Sequence, residues 1–537
     1  MSDKPQDGAL VRRTRSLPSA SQQLANLIDR PDAAQYIAAL HPLALHRIIA
    51  RVGLNDAVAL LELCEPEQIQ DVVDLQVWQR DRIEADELID WLFALTQLSD
   101  DKRLAITRAL DIELLSFVLA SRTKIFLLEE DGEQAELHPG LCWPTPDGWF
   151  AIVIDGDEEQ AFRLVRLLEQ LYADDIDFVR PLLLNLRYEL PTELEENAYR
   201  WRSGRLADLG FADPQDALAL YAYLDPSSVE RTERSAWRPP RKSIELLPVL
   251  PNAPAGSFWE LALQANRSKL DPDALNRQLL TLANYALSAD QIDPSDEEGA
   301  TQSMTGLYYR LSLGLEHLCE GDPQAAGSAL ENIALIRLAR LGHSLAVDLR
   351  RQLMSSVRSG RFGRTAGQLD LIEQPLQRQL SAMLPRIPRF YAPELGQRRH
   401  FESLADIATA RAAIARAEAM AVLVPRDSWL PLGEDTTLGD IFRTLVVNDV
   451  LDREGPLDEQ ALAEAIELVQ QAADQCVVAA HELAFSRLHG SRTKALPSPY
   501  RELVADWLEQ LIDELSALDA NDFESRYVGA LVIDREL

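Results

Sequence analysis

Arg200, Trp201, Arg202 and Arg205 form the densest group of residues in this chain that could recognise a ligand. An arginine guanidinium binds carboxylate and phosphate groups through paired hydrogen bonds, and an indole ring can stack on a ligand or on a guanidinium. The spacing therefore predicts a binding site for a partner. A pocket near Trp201 is also where we would expect an active site, if the protein is an enzyme.

Ordinary helix electrostatics gives the same stretch a simpler interpretation. Pro191 is typical of a helix start, and Glu193, Glu195 and Glu196 fall in the first turn that follows. The helix dipole favours acids at that end and bases at the other, where the arginines lie. This interpretation explains the charges but leaves Trp201 unexplained.

A second basic segment runs from residue 337 to residue 364, with seven arginines and a single acid, Asp348. On a helix, Arg337, Arg340 and Arg351 lie near one face. They predict a docking surface for an anionic partner such as phosphate, nucleic acid or an acidic protein. The alternative is pairing with the chain's own excess of carboxylates.

The sequence lacks the familiar motifs of catalysis. Its eight histidines form no HExxH pair, its four cysteines no CxxC pair, and no GxSxG or GxxxxGK[ST] occurs. His41 and His46 are five residues apart, which places them on different faces of a helix. We therefore predict no catalytic residue, no cofactor and no metal site, and lean against an enzyme.

The composition is that of a folded, strongly acidic protein. Hydrophobic residues make up 47% of the 537, and 86 acids against 53 bases give a net charge of −33. That charge opposes binding to nucleic acids or anionic membranes as a general mode, and favours solubility, loose association with divalent cations, or a basic partner. A solvated acidic surface is the simplest interpretation. Neither a signal peptide nor an apolar run long enough to cross a bilayer is visible, so we expect a cytoplasmic protein without a membrane span.

Short amphipathic helices with proline near their starts follow one another from about Ser21 to Ala120. Such helices bury their apolar faces only by stacking, so the predicted fold is mainly α, with a solenoid-like helical-repeat architecture. Ile125–Leu128 and Phe150–Ile154 have strand composition and turn residues between them, which predicts a small β insertion near 122–157. The predicted organisation is a disordered N-terminus (1–20), a helical-repeat domain (21–121), the β insertion (122–157), a helical continuation (158–226), a Pro-rich linker (227–256), a helical domain (257–384) and a C-terminal helical domain (385–537).

Two resemblances extend this reading. The stretch LHPLALHRIIARVGLNDAVALLELCEPEQIQDVVDLQVW resembles the superhelical N-terminal domain of MgtE-type magnesium transporters, which implies a superhelix but not transport. Four stretches are together similar to an uncharacterised family of bacterial proteins of comparable length: VDLQVWQRDRI, TPDGWFAIVI, YYRLSLGLEHLCEGDPQAA and the one from Leu186 to Pro226. This resemblance implies that the chain belongs to one family of related proteins, but it implies no activity.

Three functions remain open from the sequence. The first is an interaction scaffold or regulator that presents its stacked helices to a protein partner. The second is an enzyme of unrecognised type with a pocket near Trp201. The third is a divalent-cation-responsive regulator, suggested by the acidic charge and the transporter resemblance. The oligomeric state is not predicted.

Overall fold

The computed structural model describes residues 20–79, 81–209, 211–230, 252–293, 295–431, 433–488 and 496–534. Within these residues it contains 23 α-helices and seven short strands. The first half holds the following elements, in chain order: α1 (Ala20–Ile28), α2 (Ala33–Ala38), α3 (Pro42–Val52), α4 (Val58–Leu61), α5 (Pro66–Gln76), β1 (Trp78–Gln79), β2 (Arg82–Ile83), α6 (Ala85–Leu95), α7 (Asp100–Ala109), α8 (Ile112–Arg122), β3 (Thr123–Leu127), α9 (Leu128–Leu137), β4 (Leu141–Pro144), β5 (Phe150–Ile154), α10 (Glu158–Asp174), α11 (Ile176–Leu186), α12 (Pro191–Asp208) and α13 (Pro214–Ala217).

The second half is helical apart from one hairpin. Its elements are α14 (Phe258–Asn266), α15 (Pro272–Asp290), α16 (Glu297–Leu318), α17 (Ala326–Asn332), α18 (Leu335–Arg358), α19 (Leu376–Met383), β6 (Phe390–Ala392), β7 (Gln397–Arg399), α20 (Leu404–Leu423), α21 (Leu438–Leu451), α22 (Glu459–Arg487) and α23 (Ser498–Ser516). The predicted mainly α class is confirmed, while the repeat architecture stays a prediction.

Local residues explain where the N-terminal helices begin and end. Pro42 and Pro66 occupy the first turns of α3 and α5, where a missing N–H costs nothing. Glu65 and Gln68 form a reciprocal capping box at the start of α5. Gly53 ends α3 with a φ of 90°, a backbone conformation that few other residues adopt.

The β insertion near 122–157 is confirmed as a three-stranded antiparallel sheet in the order β3-β5-β4. Ile125 pairs with Ile152, and Trp143 pairs with Ile152 from the other side. Every residue of the central strand β5 is buried. An apolar central strand of this kind is what made the insertion visible in the sequence.

Two hairpins were not predicted. They are β1 with β2, and β6 with β7, with strands of two or three residues. Strands this short show no period-two alternation, so their sequences carry no signal that separates them from loops.

The described residues divide into two compact units, each with its own core. The first unit contains the described residues up to Leu218 together with Ala283–Ser303, and the remainder form the second. In the first unit the core includes the fully buried Trp91, and in the second it includes the fully buried Trp507.

In the second unit, α16 and α18 approach each other closely at two glycines. A Cβ atom on Gly314 would overlap the carbonyl oxygen of Leu338, and one on Gly342 would overlap that of Arg310. The missing side chains are therefore what allows the two backbones to come together.

Some predicted segments lie outside the described residues. They are nearly all of the N-terminal segment 1–20 and, from 231 to 251, most of the linker 227–256. The domain boundaries stay predictions. None of the described helices has both the length and the apolar character that a bilayer span requires.

Candidate functional site

An open groove of about 660 Å³ lies among α5, α7, α8, α11 and α12 of the first unit. Trp201 and Arg205 reach it from α12, and four acidic side chains reach it from α5 and from the start of α8. The residues that line it are Glu67, Gln70, Asp71, Thr107, Arg108, Ala109, Leu110, Asp111, Ile112, Glu113, Phe178, Trp201 and Arg205.

Arg205 holds α12 against the wall of the groove. Its Nε and Nη2 donate to the two carboxylate oxygens of Asp74 at 2.5 and 3.1 Å. Nη2 also donates to Asp111 Oδ2 at 3.0 Å. The Asp74 side chain has no exposed surface, so this forked pair fixes α12 to α5 and to the residue that caps α8.

Two further contacts orient α12. Arg202 donates from Nε to the carbonyl oxygen of Asp74 at 2.9 Å, and its guanidinium lies 4.9 Å from the ring centroid of Trp78. Glu195 accepts a hydrogen bond of 2.8 Å from the backbone N–H of Ile83. Arg202 and Arg205 are three residues apart and therefore share the inward face of the helix.

Trp201 lies on the edge of the groove and Arg200 faces away from the helix contacts. The Trp201 side chain is 61% exposed, although it lines the groove. Arg200 is exposed and pairs with Glu196 one turn earlier on the same helix. The four predicted residues thus have different roles. Arg202 and Arg205 hold the helix in place, whereas Trp201 presents an exposed apolar surface.

Three acids of α5 and α8 have raised pKa values. A hydrogen bond to Asp111, together with burial, raises the pKa of Glu113 from 4.5 to about 7. Burial, with the nearby charge of Asp74, raises the pKa of Asp71 to about 6. Burial also raises the pKa of Asp74, against the opposing effect of Arg205.

The four acids that line the groove outnumber its two basic residues. Within the part of the chain that the structure describes, Glu67, Asp71 and Glu113 form no ion pair. The two basic residues of the groove are already engaged, Arg205 as described and Arg108 with Asp175 at 3.1 Å. The groove therefore has surplus acidity beside an exposed indole.

Sequence reasoning missed these acids. Asp71 and Glu113 are 42 positions apart, and the chain that joins them passes through two other helices. The one local signal is Asp111, whose carboxylate caps α8 by accepting from the N–H of Glu113 at 3.3 Å. That signal marks a helix start and not a site.

In the second unit, the predicted arginine face of α18 contacts the chain's own backbone and rings. Arg340 donates to the carbonyl oxygens of Ala222 and Tyr223 at 3.1 and 3.4 Å. The guanidinium of Arg351 lies 3.6 Å from the ring centroid of Tyr223. Arg337 is half-buried and also has an intramolecular partner. A docking surface on this face stays a prediction.

Among the described residues, no three His, Cys, Asp or Glu side chains are grouped so that they could hold a metal ion. A divalent-cation-responsive regulator stays a prediction.

A family model described as a family of unknown function, DUF6178, matches residues 8–534. The chain belongs to this family. Neither the curated proteins nor the solved structures provide a match to the chain. The predicted membership of an uncharacterised family over nearly the full length is confirmed, and the resemblance of the N-terminal helices to the transporter domain stays a prediction. DUF6178 membership brings no activity with it, so the function must be argued from the groove.

Proposed function

We propose that this DUF6178 protein is an interaction protein, a scaffold or regulator, whose Trp201 groove receives a basic segment of a protein partner. The observation that carries the proposal is an exposed tryptophan in a groove lined by four acidic and two basic side chains, with both basic side chains already in ion pairs. Lysine or arginine side chains of the partner would supply the missing cations.

The residue types of the groove suit protein recognition. Tryptophan is enriched among the residues that dominate binding energy, because a large rigid ring buries much area at little entropic cost. Ile112 adds a second apolar contact, since it lines the groove and is 46% exposed. A partner segment with one apolar residue between basic ones would match both features.

The charge of the whole chain favours the same class of partner. A net charge of −33 attracts a basic protein over distances comparable to the Debye length and accelerates encounter. The groove then selects among such partners, because only close contact exchanges the hydration of the acids for direct ion pairs.

The experiment is affinity capture from a lysate of the source cell, followed by titration of the captured partner. Trp201→Ala is expected to weaken the complex roughly 30-fold or more, the loss typical of a tryptophan that dominates the binding energy. Glu67→Lys is expected to weaken it as well, and to lower its sensitivity to salt, because it reverses an exposed charge at the groove.

Trp149→Ala is the matched control. Trp149 is 56% exposed, belongs to the same unit and does not line the groove, so its loss is expected to leave the complex unchanged. A partner that binds the Trp201→Ala and Glu67→Lys proteins as tightly as the unaltered chain would exclude the groove as the binding site.

A second function, acid–base catalysis in the same groove, is favoured by one observation. Glu113 shares a hydrogen bond with Asp111 and has a pKa near 7, the range in which a carboxyl group both donates and accepts protons. This function requires Glu113 to change protonation state near neutral pH. The test is to measure how the stability of the unaltered chain and of the Glu113→Gln variant depends on pH, since only the unaltered chain can change protonation at this position.

A further inference from the structure

Arg310, on α16 in the second unit, is a buried cation with incomplete hydrogen bonding. Only 7% of the residue is exposed. Its Nε and Nη2 are buried and have no hydrogen-bond partner. The guanidinium lies 4.9 Å from the ring centroid of Tyr221, a contact with one face of the group that does not satisfy Nε and Nη2 in its plane.

The other two buried arginines in the described part of the chain differ from Arg310. Arg443 donates to Asp440, to Gln510 and to the carbonyl oxygen of Ala530. Arg103 binds both carboxylate oxygens of Asp174 at 2.7 Å. A buried charge is stable only with such partners, because it has lost its hydration.

The two imidazoles described near Arg310, those of His343 and His400, do not supply a negative charge. His343 packs edge-on against Tyr221, with ring centroids 5.1 Å apart. Burial, with the charges of Arg310 and Arg386, lowers the pKa of His343 to about 4. Burial, with Arg389 and Arg310, lowers that of His400 to about 3. Both imidazoles are therefore neutral at physiological pH, and the arginines that act on them are Arg310, Arg386 and Arg389.

Glycines bring these groups together on α16. Gly306 is one helical turn before Arg310, and a Cβ atom there would press against the His400 ring. Gly342, next to His343, lets α18 touch the backbone of α16 at Arg310. The fold thus places a guanidinium and two neutral imidazoles around one turn of α16.

We infer that Arg310 is the centre of a binding site for a small oxyanion, of which inorganic phosphate is the simplest example. The unsatisfied Nε and Nη2 lie on one edge of the guanidinium and form the fork that binds two oxygens of such an anion. A water molecule could satisfy the N–H groups but not the charge. The burial of the site favours a small ligand over a large one.

The test is calorimetric titration of inorganic phosphate into the whole protein, in chloride buffer of constant ionic strength. Saturable binding is expected for the unaltered chain and at least a tenfold weakening for Arg310→Met. Phosphate is also expected to raise the melting temperature of the unaltered chain and not that of the variant, because a ligand stabilises only the state it binds.

The variant is expected to fold. Arg310→Met removes a buried charge that has few partners, so in phosphate-free buffer its melting temperature should equal or exceed that of the unaltered chain. Arg358→Met, at an exposed position of α18, is the matched control and should bind phosphate normally. Absence of saturable binding, or equal binding by Arg310→Met, would overturn the proposal.

A second titration with adenosine monophosphate distinguishes two sources of the same chemistry. Because Arg310 is 7% exposed, we expect no competition with phosphate, which would support a free oxyanion. Competition would support the same oxyanion site and assign it to the phosphate group of a larger molecule.

Discussion

At the scale of single residues, burial and hydrogen bonding decide what the acids of α5 and α8 do. Asp74 is fully buried and carries the forked ion pair with Arg205. Asp71 and Glu113 are only partly buried; burial with the charge of Asp74 raises the pKa of Asp71 to about 6, and a hydrogen bond to Asp111 with burial raises that of Glu113 to about 7. Asp74 thus holds α12 in place, whereas the carboxyl groups of Asp71 and Glu113 remain available to a partner or a proton.

Glu113→Gln is expected to change how stability depends on pH. Because the pKa of Glu113 is raised from 4.5 to about 7 in the folded protein, the folded state binds the proton more tightly. Its contribution is fully present below about pH 4.5 and is lost as the pH rises through about 7. Denaturant unfolding should therefore show the unaltered chain losing stability relative to Glu113→Gln between those values. Glu130→Gln, at an exposed position of the same unit, should not reproduce this, and a constant difference between the Glu113→Gln and unaltered proteins would contradict the raised pKa.

At the scale of secondary-structure elements, long periodic segments were predictable and short ones were not. The sequence predicted a helix starting at Pro191, and the structure has α12 at that place. The two short hairpins lacked any periodic signal. The sequence also did not predict what holds α12 in place. Only Leu194 and Ala198 on this helix are buried, and its position depends on the hydrogen bonds of Arg202 and Arg205.

Gly342→Ala is expected to destabilise the α16–α18 crossing. The new Cβ would overlap the carbonyl oxygen of Arg310, and backbone atoms cannot yield as a flexible side chain does. Overpacking of this kind costs about 1–3 kcal/mol in free energy of unfolding, measured by chemical denaturation. Gly204→Ala on α12 is the control. Nothing lies within 4 Å of its added Cβ, and higher helix propensity should stabilise the protein by about 1 kcal/mol. Equal effects of the two substitutions would contradict the close crossing.

At the scale of the whole molecule, the acidic surplus is the dominant property. Individual ion pairs are numerous, and several are exposed and weak, such as Arg200 with Glu196. Pairing the 53 basic residues with acids still leaves a net charge of −33. Like charges repel in the folded chain, so salt should act on this repulsion more than on the pairs.

Raising sodium chloride from about 0.05 to about 0.3 M is therefore expected to raise the melting temperature, because a shorter screening length weakens the repulsion among the surplus acids. Differential scanning calorimetry would measure the rise, which should level off as screening becomes complete. A melting temperature that falls over this interval would show that local ion pairs, and not the net charge, dominate the electrostatic stability.

The sequence by itself determined the helical class, the β insertion, the position of α12 with Trp201 and the acidic charge. These follow from local periodicity, from capping residues and from composition, all of which act over a few positions of the chain. The tertiary structure alone decided that Arg205 meets Asp74 and Asp111, that Asp71 and Glu113 share a groove, and that Arg310 is buried with two unsatisfied donors. Those arrangements join residues from separate helices, and burial, which sets their charge and their need for partners, exists only once the helices have packed.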